Sequence, residues 1–272
     1  MAGLRVSPAR RRLGVELRRL RERAGRTLEE VAAWLECSPA KVSRIETGQV
    51  SVRPLDLREL LDRYGVTGAQ RTALLAAVRP GWWREYLDVI YAGYDLYVGY
   101  EEEAVEVWEY QPQWIPGLLQ TYDYAKALGE ASGRGAEVAG RLADLRQARQ
   151  AALLRDDPPQ LSVVIDDAAL LRTASPSLMR AQLHQLVRSA RSPHITVQIL
   201  PAAAGPHPGQ NGGFIVLGFA GDDPHVAYTN NLTEGQLIRE PENVRHYVQA
   251  FDRLRELALP PVESLAFIER LV

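Results

Sequence analysis

The sequence predicts a mainly α N-terminal bundle joined to an α+β domain with a largely antiparallel sheet of about four to five strands. Three observations carry that prediction. The 272 residues are enough for two domains of ordinary size, at ~100–200 residues each. Up to residue 78 the apolar side chains recur with helical spacing, in short segments punctuated by caps, Gly and Pro. After residue 160 the period changes, and short β-branched runs alternate with helical stretches. A proline-aromatic junction, Pro80-Gly81-Trp82-Trp83, divides the chain into residues 1–79 and 80–272.

In the first part, Leu13, Leu17 and Leu20 form one apolar stripe on a helix otherwise rich in Arg and Glu, which ends at Ala24-Gly25. Thr27 and Glu30 have capping-box spacing for a second helix, with Leu28, Val31, Ala32 and Leu35 on its apolar face. Ser38-Pro39 is an N-cap followed by proline at the first helical position, where a missing N–H costs nothing. The third helix covers residues 39–47 and stops at Gly48; helices over 54–64 and near 68–78 complete the unit. A turn of three to four residues between the second and third helices makes this a helix-turn-helix bundle. Val42 and Ile45 face the core with Val31 and Leu35, which leaves Ala40, Lys41, Ser43 and Arg44 outside. Small and donor-rich side chains of this kind suit a helix that lies in a major groove. Charge agrees. Residues 1–64 carry 14 basic and 9 acidic side chains, net +5, and the other 208 are net −7, so the overall −2 hides a basic head suited to a polyanion.

Thr27-Leu28-Glu29-Glu30-Val31-Ala32, Leu35 and the run from Ser38 to Gly48 resemble the XRE/phage-repressor helix-turn-helix family over about 60 residues. By that resemblance Lys41 and Arg44, with Ala40 and Ser43, face base edges. Thr27 and the arginines of the first helix, Arg10 and Arg11 among them, hold phosphates; Ser38 and Arg53 complete the expected DNA-binding set. Arg21 stands where the family often places an arginine paired with the glutamate that closes the recognition helix, here Glu46. Two positions depart from the family: Leu28, usually Gln, and Glu36, usually the Gly that begins the turn.

Residues 86–110 are aromatic and acidic. Tyr91, Tyr94, Tyr97 and Tyr100 at spacing three read as one face of helical turns packed on a core or a partner. A turn at 113–121 leads into a helix ending near Leu128. Residues 134–155 read as a long amphipathic helix with Leu142, Leu145, Ala148 and Ala152 as its stripe. Strands follow at 161–166 and 195–200, with helices at 167–173 and 177–191 between them. Residues 213–219 and 225–229 form an antiparallel pair, a short strand follows at 235–239, and helices at 242–257 and 261–271 close the chain. The segments Trp114-Ile115-Pro116-Gly117-Leu118-Leu119-Gln120-Thr121, Arg146-Gln147-Ala148-Arg149-Gln150 and Thr196-Val197-Gln198-Ile199-Leu200-Pro201 resemble the C-terminal domain of actinobacterial antitoxin-like XRE regulators. That resemblance spans nearly all of residues 80–272. It implies a partner: a small protein encoded by an adjacent gene.

Other function classes find little support. No run of 18 apolar residues suggests a membrane span, and no apolar segment follows the basic start (Arg5, Arg10, Arg11, Arg12) as a secretory signal would require. A single cysteine, Cys37, rules out an internal disulfide framework or a Cys-cluster zinc site and fits a reducing cytoplasm; at its turn it reads as a small buried hydrophobe. Histidines 184, 194, 207, 225 and 246 lack metal-ligand spacing, so no metal and no cofactor are expected. Asp166-Asp167, at a strand end, is either an acid/base pair or an N-cap for the helix starting at Ala168, and the cap is preferred. The Gly-rich loop 205–213 precedes a strand, the wrong order for a phosphate loop, but is placed to cover a small-molecule pocket. The expectation is therefore a non-enzymatic, cytoplasmic, nucleoid-associated regulator of transcription. It binds double-stranded DNA as a homodimer; its second domain mediates dimerisation and binds a small partner protein or, as the alternative, senses a small-molecule effector.

Overall fold

A computed structural model of the chain describes residues 7–78, 81–172 and 175–272. Arg5, the expected 79/80 boundary and Thr173 lie outside them. The chain divides into two compact units, Met1–Trp82 and Trp83–Val272.

The N-terminal unit contains α1 (Pro8–Arg23), α2 (Leu28–Trp34), α3 (Pro39–Glu46), α4 (Pro54–Arg63) and α5 (Gly68–Ala76). The first three start on side-chain caps: Ser7, Thr27 and Ser38 accept from the backbone N–H groups of Arg10, Glu30 and Lys41 at 3.2–3.3 Å. Glu30 accepts in return from the Thr27 N–H at 2.8 Å, so the capping box closes as its spacing predicts. Leu13, Leu17, Leu20, Val31, Leu35, Val42, Ile45, Leu57 and Leu61 form one core, and half-buried Cys37 packs against it as a hydrophobe. Helix α1 crosses the end of α3 at a distance only glycine permits. A Cβ on Gly14 would stand 2.6 Å from the Glu46 carbonyl oxygen. In the α2–α3 turn Glu36 has φ +48°, the only positive φ at a non-glycine position among the described residues. The turn has no glycine at this position, yet it keeps the left-handed backbone that glycine serves.

The C-terminal unit runs α6 (Tyr94–Glu101), β1 (Glu106–Gln111), α7 (Tyr122–Ala131), α8 (Ala136–Gln150), β2 (Gln160–Asp166), α9 (Asp167–Leu171), α10 (Pro176–Ser189), β3 (Ile195–Leu200), β4 (Phe214–Gly218), β5 (Val226–Asn230), β6 (Gly235–Ile238), α11 (Pro241–Leu257) and α12 (Pro261–Glu269). Its sheet has six strands in the order β3-β2-β1-β4-β5-β6. The β1–β2 and β2–β3 pairs are parallel; β1–β4, β4–β5 and β5–β6 are antiparallel. This corrects the expected four to five largely antiparallel strands. The missed strand is β1, read as part of a helical aromatic stretch, and it sits at the centre of the sheet. Each parallel pair is joined through helices, α7 and α8 in one case and α9 and α10 in the other, as the reach of a crossover requires. The long helix expected to 155 ends at Gln150 in a short 3₁₀ turn, Ala151–Leu154.

On one sheet face Tyr110, Val164, Leu200, Phe214, Val216 and Ala227 pack with Phe251 and Leu254 of α11. On the other, the register aligns Glu109 with Val163 and Ile215, and Ile215 with Tyr228. Tyr228 stacks on Tyr97 of α6 with ring centroids 4.3 Å apart. Tyr97 and Tyr100 are buried, so the tyrosine periodicity marks a core-facing helix in part: α6 runs only from Tyr94 to Glu101, and Tyr91 lies before it.

Glu36→Gly relieves the left-handed backbone at some cost in chain entropy. It is expected to stabilise the N-terminal unit by about 0.5–1 kcal/mol. Calorimetric unfolding of the full chain checks this; an unchanged or lowered N-terminal transition contradicts it.

Candidate functional site

The outer face of α3 carries Ala40 and Arg44 exposed, with Lys41 and Ser43 half-buried beside them. Arg44 Nε donates to the Ala40 carbonyl at 3.3 Å, which lays the side chain along its own helix. Neither Lys41 nor Arg44 has an ion-pair partner among the described residues. Thr27 and Ser38 are exposed at the starts of α2 and α3, where backbone N–H groups and the helix dipole both favour a phosphate. Arg10 and Arg11 are half-buried on the first turns of α1. Arg53 is exposed but bound to Asp56 through three hydrogen bonds of 2.7–3.1 Å, so part of its charge is already spent. Six of the nine expected residues thus lie in or at the starts of α2 and α3, with the three arginines on α1 and before α4.

What fixes α3 is Arg21. Its Nε and Nη2 donate to the two carboxylate oxygens of Glu46 at 2.6 and 3.0 Å, and its Nη1 donates to the Arg26 carbonyl at 2.9 Å. One guanidinium therefore ties α1, the α1–α2 turn and the C-terminal end of α3. Both side chains are mostly withdrawn from water, 12% and 7% exposed. The fork geometry matches a carboxylate better than an ammonium would.

The second unit holds a larger polar core that the sequence did not disclose. Arg149 of α8 donates to both carboxylate oxygens of Glu101, at 2.6 and 2.7 Å, and to the hydroxyls of Tyr94 and Tyr97 at 2.6 and 2.8 Å. Burial opposes its charge, but Glu101 and the two tyrosines outweigh it and raise the guanidinium above its usual range. Glu109, on the buried face of β1, has a weaker setting: one oxygen accepts from Gln111 at 2.9 Å, and the other has no partner among the described residues. Burial pushes its carboxyl up to about 7. A signal existed. Arg146 and Arg149 each follow Leu142 and Leu145 by four residues, so both belong to the stripe of α8 read as apolar.

A cavity of about 510 Å³ opens where β1 and β5 end, lined by Gln111 and Asn230, by Arg146 of α8 and by residues 211–213. The expected loop thus contributes to a pocket, though its middle is packed rather than free. Gly209 is buried, and a Cβ there would stand 2.2 Å from the Tyr110 ring. Asp166 Oδ1 accepts from the Ala168 N–H at 2.9 Å, the cap, while Asp167 accepts from the Ala202 N–H at 2.9 Å. No group of three metal-ligating side chains occurs among the described residues, and none of their helices is long and apolar enough to cross a membrane.

Residues 12–74, from α1 into α5, match the family described as a helix-turn-helix domain, which points to DNA binding and transcription regulation. Residues 94–270 match a second family, described as a domain of unknown function, DUF5753. That match covers more than half of the chain, and the protein belongs to this family. No curated protein and no solved structure matches the chain.

Two outcomes follow from the ion pairs. Glu46→Ala strands Arg21 and should cost the N-terminal unit about 3 kcal/mol, whereas adding Arg21→Met should recover much of the loss. Urea unfolding of the single and double variants reads this, and simple additivity contradicts it. For Glu109 the unfolded chain releases its proton near 4.5 and the folded chain near 7. Its penalty is absent below 4.5, grows between these values and is constant above 7. Glu109→Gln should therefore gain on the order of 3 kcal/mol over the parent between pH 4.5 and pH 8. A pH-independent difference in unfolding free energy would contradict a buried carboxyl of raised pKa.

Proposed function

We propose that this protein is a sequence-specific, DNA-binding regulator of transcription, without enzymatic activity. The observation that carries the reading is α3. It is a capped helix, locked at its far end by Arg21–Glu46, and it shows Ala40, Lys41, Ser43 and Arg44 on its outer face inside the region that matches a helix-turn-helix domain. Phosphate contacts by Thr27, Ser38, Arg10, Arg11 and Arg53 set register and give the salt-dependent part of the affinity. Arg44, with Lys41 in support, reads a guanine edge. One such helix reads only a few base pairs, so two copies acting on half-sites about one helical turn apart complete the specificity. A cytoplasmic location on the nucleoid goes with this role.

The second unit takes one of two jobs under this proposal. The antitoxin-like, actinobacterial resemblance favours a small protein encoded by the adjacent gene. The cavity beside Arg146 favours a small-molecule effector, and that observation supports the effector reading here. Either partner acts by binding differently to DNA-bound and free forms. A stoichiometric small protein co-purifying from the native host would favour the first job.

Arg44→Ala is expected to cost about 1–3 kcal/mol on the preferred operator and to relax preference at one base position. Arg11→Ala should weaken all sequences evenly and lower the salt slope by about 1. Competition binding against randomised duplexes measures both. A uniform loss for Arg44→Ala, or an unchanged slope for Arg11→Ala, removes that residue from its role.

A further inference from the structure

The cavity at the ends of β1 and β5 is lined by two guanidinium groups, those of Arg134 and Arg146, and by no carboxylate. The two are not equivalent. Arg134 is anchored, its Nη1 donating to the Val89 carbonyl at 2.7 Å. Arg146 makes no hydrogen bond and no ion pair with any described residue, while Arg149, one turn along the same helix, has its donors taken by Glu101, Tyr94 and Tyr97. A guanidinium has five N–H donors and cannot shed its charge, so one left in a cavity wall needs an acceptor from outside the chain. Burial pulls Arg146 below the usual arginine range, in line with an uncompensated cation. Glu109 is within electrostatic reach of Arg146, but it is not ion-paired with it and shares its hydrogen bond with Gln111. Gln111, itself buried, lines the same cavity, and its Oε1 has no partner among the described residues. The remaining wall is mixed: Trp114, Leu142 and Leu145 form an apolar part, and the amides of Gln113, Asn211, Asn230 and Asn231 a polar one.

We propose that this cavity binds a small organic monoanion, a carboxylate carried on an apolar or aromatic body, with Arg146 as its bidentate partner. Arg146 offers a whole guanidinium fork to one carboxylate, while Arg134 is held at the Val89 carbonyl and adds its charge to the wall; Trp114 and the leucines meet the body of the ligand. The cavity volume of about 510 Å³ is that of a site for a metabolite-sized molecule. The inference names the chemical class for the effector reading above and rests on that reading for its consequence at DNA, though not for the binding itself.

Calorimetric titration of the full chain with indole-3-acetate and octanoate, each beside its neutral amide, and with inorganic phosphate tests the site. Each acid is expected to bind at least tenfold tighter than its amide and tighter than phosphate. Arg146→Gln should erase the acid preference without lowering the melting temperature, and Arg146→Lys should keep part of it. Equal binding of acid and amide, binding of neither at millimolar concentration, tighter binding of phosphate, or an acid preference that survives Arg146→Gln overturns the proposal. The comparison on the unaltered chain stands even if a variant fails to fold. Operator binding measured with and without the bound acid separates the two readings: an unchanged operator affinity defeats the effector role and leaves the anion site in place.

Discussion

A guanidinium withdrawn from water needs acceptors for its donors, and in each unit of the protein one carboxylate supplies them and fixes the helices it joins. In the first, Arg21 and Glu46 hold α3 against α1 at a separation that Gly14 alone allows. In the second, Arg149 and Glu101 join α8 to α6 over the buried face of the sheet, with Tyr94 and Tyr97 taking the remaining donors. Neither pair is strong evidence of net stability, since both charges are desolvated to form it. Their effect is positional: each allows one arrangement of the helices it joins and leaves an unpaired charge in any other.

Burial also sorts the arginines by role. The sequence holds 30 of them, too many for their number to point to function. Arg21 and Arg149 are consumed inside the structure, Arg53 is partly neutralised by Asp56, and Arg44 stays exposed on α3 with only its own helix backbone for a partner. Arg146 belongs to neither group. It is half-buried, pairs with no described residue, and lies beside a cavity. Under the proposals above, α3 meets a polyanion outside the chain and Arg146 an anion inside the second unit.

How far the sequence could be read depended on whether a side chain's environment was set locally. Capping at Thr27 and Ser38, the stop at Gly48, and the apolar stripes of α1 to α3 are decided within a few residues, and the N-terminal unit follows its pattern closely. Strand β1 does not. Its Val107, Glu109 and Gln111 share one face, and the two polar members look solvent-exposed until α6 and α8 cover them. With β1 unseen, the crossover through α7 and α8 had no first strand; β2 and β3 were both legible with helices between them, but the expected antiparallel sheet missed their parallel pairing. The antiparallel half was legible because β4, β5 and β6 are joined by short turns that set their register locally.

The sequence by itself determined the helix-turn-helix, its caps, the outward set on α3, and the mixed helical and strand content of the second unit, because periodicity and capping act over one or two turns. Tertiary structure decided the central strand, the sheet order, the state of Glu109 and the isolation of Arg146. Each of these depends on which distant segment excludes water from a polar group, and no window of local sequence contains that information.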